Sequence, residues 1–425
     1  VCPFSAEVTV GFDVGMTPGT PDRYAQDVDR RMALAREWDE LVTQARAIDG
    51  FEDFLRPPRA ERLLPAGDEG PVVIVNVSRW RCDALVVAGS GAEVDVVQLP
   101  ELTQADVVTH VQAYLDAVGA RQSDALRGAR DAEVTISSAD LEADLDRCLL
   151  WMWDAFARPV LDHLRLHGPR DGVWPRIWWC PTGPLTLLPI HAAGRHDVPG
   201  ESVLDRVISS YTPTVRALID ARSAPVEPEP GRMLFVGMPQ TPGQAALPNV
   251  EREQTLIESF LGASCTPLIG EAATRDRVLI GLSEHGWAHF ACHGEQNLAD
   301  PSTGGLLLHD GPLTVTDLGS GQHGGEFAYL SGCKTAVGGV NLPDEAITLA
   351  AALHYTGYRH VIATLWSVWD AEAAQVAADV YEAMVTDGVL HAERAAEALH
   401  HAVRALRAAR RDRPSVWTPF AHTGP

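Results

Sequence analysis

His289–Gln296 reads HFACHGEQ, and Ala328–Ala336 reads AYLSGCKTA. Each is a short apolar run that closes on a small residue beside a chemically reactive one. The first closes on His293-Gly294, the second on Gly332-Cys333. Short apolar runs with aromatic residues, stopped by glycine, are expected as buried strands. In open α/β sheets the ligand crevice lies beyond the carboxyl ends of the strands. If the two strands are neighbours, imidazole and thiol face each other across that crevice.

The surrounding sequence alternates in the way such a sheet requires. MLFVGM (233–238), GWAHFAC (286–292), EFAYLS (326–331) and HVIATLW (360–366) are expected strands. LPNVEREQTLIESFLG (247–262) is expected to be a helix, with Asn249 as cap, acids in the first turn and Gly262 as stop. PDEAITLAAALHYTG (343–357) is expected to open on Pro343 with Asp344 and Glu345 in its first turn. AEAAQVAADVYEAMVTDG (371–388) puts Val376, Val380 and Met384 on one stripe and is expected to stop at Gly388. Strands alternating with helices imply a parallel sheet covered on both faces.

Before the proline-rich segment ARSAPVEPEPG (221–231), read as a linker, the pattern differs. Residues 1–20 carry Gly, Pro and Thr and read as a loop or tail. Tyr24–Ile48 reads as a helix. DALVVAGSGAEVDVV (83–97) reads as a hairpin around Gly89-Ser90-Gly91, residues 104–166 as largely helical, and Ile177–Cys180 as a buried strand. The expected division is 1–68, a tail and helical segment; 69–225, an α/β domain; and 226–425, the domain with the reactive residues.

Composition narrows the function. The 425 residues are 46% hydrophobic and 21% charged, as in globular proteins. A formal net charge of −23 disfavours nucleic acid and anionic membrane surfaces as partners and favours basic peptides. No apolar stretch reaches the roughly 20 residues of a membrane span, and no secretory signal is seen. The seven cysteines are scattered, without a C-x-x-C pair, which argues against a disulfide framework or structural zinc and for a reducing cytosol. The first residue is Val1, so the chain is expected to be processed or part of something longer.

A thiol of ordinary pKa ~8.5 is mostly protonated at neutral pH, and the thiolate is the nucleophile. A nearby imidazole can stabilise that thiolate and later protonate a leaving amine. The amides of Gly294 and Cys333 could serve the oxyanion. The bland alternative is a core cysteine near a structural histidine. Other chemistries fail on spacing. GCKTA lacks the glycine a phosphate loop needs before its lysine. Ser331 and Thr335 stand where a nucleophile elbow needs glycines. His289 and His293 have the spacing of helical zinc ligands but lie in an expected strand, so His289 is expected in the core or behind the site.

HFACHG, LSGCKTA, LPDEAITLAAALHYTGYRHVIATLWSVWD (342–370) and the closing VWTPFAHTGP (416–425) resemble the CHAT family of caspase-like and separase-like cysteine peptidases. EWDELV, GFEDFLRPP, VVIVNVSRWRCDAL, WWCPTGPLTLLPIHAAG and SSYTPTVRAL are also similar to that family's actinobacterial and fungal form, which is often fused behind tetratricopeptide repeats. The resemblance covers the chain from about Arg36 onward. It implies a caspase-like, mostly parallel sheet covered by helices on both faces, preceded by a degenerate caspase-like α/β domain. It implies His293 and Cys333 as the catalytic pair, with Gly332 where the family more often has Ala. It further implies a dedicated protein substrate, encoded nearby and cut in regulated proteolysis or defence, and an upstream repeat or sensor region. No metal or cofactor is expected. By the same resemblance Asp370, in the family's W-x-V-x-D block, would read a basic residue before the cut, with Asp344 and Glu345 as alternatives. The rival to an enzyme is a silent scaffold that keeps the fold for binding.

Overall fold

The structure is a computed structural model that describes residues 21–48, 51, 54–56, 59–89, 93–127, 138–224, 231–295, 300–319, 321, 324–331, 348–366 and 368–425. It divides into two compact units, Val1–Arg62 and Leu63–Pro425. The first holds the helix Pro21–Arg46, close to the expected span. Its apolar residues Met32, Leu34, Trp38 and Leu41 are exposed. The expected tail, residues 1–20, lies outside the described residues.

The second unit is built on one eleven-stranded sheet. Strands β1 (Val72–Asn76), β2 (Asp83–Val87) and β3 (Asp95–Gln98) form an antiparallel meander, including the expected hairpin. Helical chain then leads to β4 (Arg176–Pro181), parallel to β1, and to β5 (Ile208–Tyr211), parallel to β4. A helix covers Val215–Ser223, so the start of the proline-rich segment is helical; residues 225–230 lie outside the described ones.

Past that segment, β6 (Met233–Gly237), β7 (Cys265–Ile269) and β8 (Trp287–Ala291) are parallel, with β6 in the middle. An excursion follows: β9 (Gly294–Glu295), β10 (Gly305–Leu308) and β11 (Gly311–Thr314) make a separate antiparallel sheet. The chain returns as β12 (Phe327–Leu330), parallel to β8, and β13 (His360–Thr364), parallel to β12. A short hairpin, β14 (Val385–Thr386) and β15 (Val389–Leu390), precedes β16 (Phe420–Thr423). β16 runs antiparallel to β13 and meets β5 at Thr423–Tyr211. The full order is β3-β2-β1-β4-β5-β16-β13-β12-β8-β6-β7.

Strand alternation fills a core on each face. On one face Trp287 and Ala291 pack with Phe235, Phe327 and the stripe Val376, Val380 and Met384 of the helix Asp370–Met384. On the other, Ala288 and Phe290 pack with Leu234, Leu306, Leu330 and Leu353. One expected boundary falls outside the described residues, and one differs from expectation. The described helix Leu349–Tyr355 opens on Thr348, whose side chain accepts from the Ala351 N–H. Pro343, Asp344 and Glu345, the expected onset, lie outside the described residues. The helix expected to run to Gly388 ends at Met384, because Asp387 (φ 52°) and Gly388 (φ 79°) form the two-residue turn of the β14–β15 hairpin. Asn249 does precede the helix Val250–Leu261, though its side chain makes no cap bond.

Candidate active site

The two strands whose ends carry the reactive residues are immediate neighbours. β8 and β12 pair in parallel with Trp287 opposite Phe327 and Phe290 opposite Leu330, an offset of forty residues. The ladder continues one step further, since the Ser331 N–H donates to the Phe290 carbonyl at 2.9 Å. His293 stands two residues past β8, at the same carboxyl edge.

His293 is held by backbone on both sides. Its ring Nε2–H donates to the Ala245 carbonyl at 2.7 Å. Its own carbonyl accepts from the Leu307 N–H at 2.8 Å. A carbonyl can only accept, so the Nε2 position carries the proton and Nδ1 is the nitrogen left to exchange one. The segment bearing Ala245 follows β6, the next strand in the sheet, which is why it can reach the ring. The small sheet adds a second restraint, because Gly294 in β9 pairs with Leu306 in β10. Sequence reading missed both devices. They use backbone groups of ordinary residues and leave no side-chain signature.

Cys333, Asp344 and Glu345 lie outside the described residues. Asp370 is the first residue of the helix Asp370–Met384, which follows β13 at the same edge as His293. Trp369 occupies the cap position of that helix.

His289 belongs to the core, as expected. It is fully buried, stacked between Phe235 and Tyr329 at 5.1 Å from each ring. Its Nε2 meets Glu253 at 2.9 Å and its Nδ1 meets the Tyr381 hydroxyl at 2.9 Å. Burial raises the phenols of Tyr381 and Tyr329 well above the ordinary value, so both stay neutral. Three described thiols away from the site are poor nucleophiles. Burial pushes Cys148, Cys180 and Cys265 up to about 12. Cys292, beside His293 in sequence, is packed in the core at 1% exposure.

Comparison with known proteins agrees with this frame. The family model described as the CHAT domain matches residues 146–425. Among solved structures, the fold is similar to that of Saccharomyces cerevisiae separase in two separase–securin complexes. One has a TM-score of 0.58 at 9% identity, the other 0.59 at 10%; each covers 86% of this chain. The chain spans 30% of the separase chain. A complex of Porphyromonas gingivalis RgpB pro- and mature domains aligns at a TM-score of 0.42 and 10% identity, over 76% of each chain. No curated protein matches in sequence. Among the described residues no helix is long and apolar enough to cross a membrane.

Proposed function

The chain belongs to the CHAT-domain family and has the caspase-like fold, and from that premise we propose that it is a cysteine endopeptidase whose nucleophile is Cys333 and whose general acid–base is His293. One observation carries the reading. The β8–β12 register is offset by forty residues, and His293 and Cys333 are themselves forty residues apart. Cys333 follows the last described residue of that strand end, Ser331, by two positions, a reach of at most about 7 Å.

In this reading His293 Nδ1 takes the thiol proton, and the thiolate attacks the scissile carbonyl. A C–S bond forms, and the carbonyl oxygen becomes an oxyanion facing the amides of Gly294 and Cys333. The oxyanion collapses, the C–N bond breaks, and the imidazolium gives its proton to the leaving amine. Water, deprotonated by the same nitrogen, then attacks the thioester and releases acid and thiol. The Ala245 carbonyl fixes the ring and favours the imidazolium.

The substrate is a protein partner, encoded near this chain and cut in regulated proteolysis. Asp370 sits one helix start beyond β13, at the edge where the residue before the cut would lie. A carboxylate there suits Arg or Lys through paired charge-assisted hydrogen bonds; Asp344 or Glu345 are the alternatives. Cleavage of a peptide library varied at that position, by the parent, Cys333→Ala, His293→Ala and Asp370→Ala chains, tests the scheme. Both dyad variants are expected to lose activity by a factor of at least about 10³, since members of one catalytic unit fail together. Cleavage that survives Cys333→Ala defeats the peptidase reading. A preference for Asp or neutral residues before the cut defeats the acidic pocket.

A further inference from the structure

Beneath the strand end that carries His293 lies a buried ionisable pair that the dyad chemistry does not use. Glu253 is 2% exposed and His289 is fully buried, and they meet at 2.9 Å. A carboxylate only accepts, so the His289 Nε2–H donates to it, and the Tyr381 hydroxyl donates to Nδ1 at 2.9 Å. Stability alone does not account for such a pair, because apolar side chains of similar volume fill a core as well or better. What hydrogen bonds add is a fixed distance and direction.

Here they act on the elements that build the site. Phe235, on one face of the His289 ring, belongs to β6, which runs on into the Ala245 segment. Glu253 belongs to the helix Val250–Leu261, which closes that segment. The segment is tied down along its length. The Met238 N–H donates to the Ala291 carbonyl at 2.9 Å, and the Leu247 N–H to the Pro239 carbonyl at 3.0 Å. The helix takes over from there, with the Val250 N–H on the Leu247 carbonyl at 3.3 Å and the Glu253 N–H on the Asn249 carbonyl at 2.9 Å. Before Ile257, only Val250 and Glu253 of this helix are buried. Its outer side faces an open groove of about 470 Å3 against Ala374 and Ala378. The start of the helix therefore has little apolar packing besides Val250.

We propose that Glu253 is a positioning residue for His293. Its bond to His289 fixes the start of the helix Val250–Leu261 against β8, and the Ala245 carbonyl, eight residues before Glu253, thereby stays on the His293 ring. His289 lies within β8 and His293 just beyond it, so ring and carbonyl are held to one strand. Without the tie the Ala245 carbonyl drifts and the His293 ring turns away from its working orientation. The effect on catalysis rests on the peptidase reading; the hold on the ring does not.

The test compares the full parent chain with Glu253→Met/His289→Phe, which removes both partners of the bond together and puts apolar side chains of similar shape in their place, a change that cores tolerate. Two quantities are read: kcat and KM on the library peptide that the parent cleaves fastest, and the proton NMR signal of the His293 ring Nε2–H, assigned by its absence from His293→Ala. The parent is expected to show that proton protected from exchange with water, as its bond to Ala245 requires. In the double variant, shown to be folded by circular dichroism, the signal is expected to vanish and kcat to fall at least about ten-fold with KM within about two-fold, since an ångström of misplacement costs up to about 10². Glu253→Gln, which keeps an acceptor, is expected to keep the signal and a kcat within about three-fold of the parent's. A parent-like kcat or a parent-like signal in the folded double variant overturns the proposal, as does a parent without the protected proton. So does a Glu253→Gln chain as impaired as the double variant, since the acceptor is then present and position is not what was lost. If the double variant does not fold, Glu253→Asp, which draws the carboxylate back by one methylene, is read in the same way. A chain that cleaves nothing, yet keeps and loses the ring proton as stated, defeats the peptidase reading and upholds the positioning.

Discussion

His293 and His289 lie four residues apart on one strand and its extension, yet their surroundings differ completely. His293 passes the sheet edge, where the Ala245 carbonyl fixes its ring at 2.7 Å. His289 points into the layer beneath, between Phe235 and Tyr329, with Glu253 and Tyr381 on its nitrogens. The sequence distinguished them, because the apolar run that marks the strand contains His289 and ends before His293. It did not reveal Glu253, 36 residues upstream on the helix Val250–Leu261, since long-range side-chain pairing has no local signal. Glu253 is 2% exposed. Removing one partner of so buried a pair leaves the other's polar atom unsatisfied, at a cost of roughly 1–3 kcal/mol. Glu253→Ala should therefore lower unfolding stability in urea by about that amount, while Glu253→Gln, which keeps an acceptor, should cost clearly less. Equal losses for the two would mean that the pair depends on the charge of the carboxylate and not on an acceptor of that shape.

β8, β12 and β13 were legible because each is an apolar run of strand length flanked by glycine, polar residues or a turn. The small sheet of β9, β10 and β11 was not. Its strands have two to four residues and begin on Gly294, Gly305 and Gly311, so no alternation accumulates. Thr348 caps the described helix Leu349–Tyr355 because its backbone is extended there. The small sheet matters because β10 and the residues beside it hold both His293 and Gly294. A Cβ on Gly305 would lie 2.4 Å from the Leu313 carbonyl oxygen, which backbone cannot yield without parting β10 from β11. Gly305→Val is thus expected to lower kcat by at least about ten-fold, since an ångström of misplacement at a catalytic group costs up to about 10². The main sheet does not depend on this pairing, so the far-ultraviolet circular dichroism should stay near the parent's. Full activity in Gly305→Val would show that the small sheet does not position the histidine.

Among the described residues the two stretches of sheet, β1–β5 and β6–β16, meet as strands where Thr423 pairs with Tyr211, across more than two hundred residues. Local patterns gave the strands and their parallel class but could not give that order. The joint is lined with histidines that burial holds neutral. Burial takes His191 and His196 down to about 4, and His360 and His400 down to about 3, with His422 well below its ordinary value. Each therefore binds its proton more weakly folded than unfolded. Their stabilisation is complete above the unfolded pKa near 6.5 and is lost as pH falls from there toward 4 and then 3. For His191 the loss at pH 5 is on the order of 2 kcal/mol. Urea unfolding at pH 7.5 and pH 5 should show a marked drop; equal stability would mean that these rings are protonated or solvated in the fold. The same burial quiets the described cysteines, since Cys148, Cys180 and Cys265 are pushed up to about 12 and Cys82 and Cys292 are packed away. The most direct measurement is the rate and site of alkylation by a thiol-reactive peptide probe at neutral pH, read by mass spectrometry in the parent and in His293→Ala. The account predicts rapid labelling confined to Cys333 in the parent, slowed at least ten-fold in His293→Ala. Labelling of Cys333 at the same rate in both, or preferential labelling of another cysteine, would contradict it.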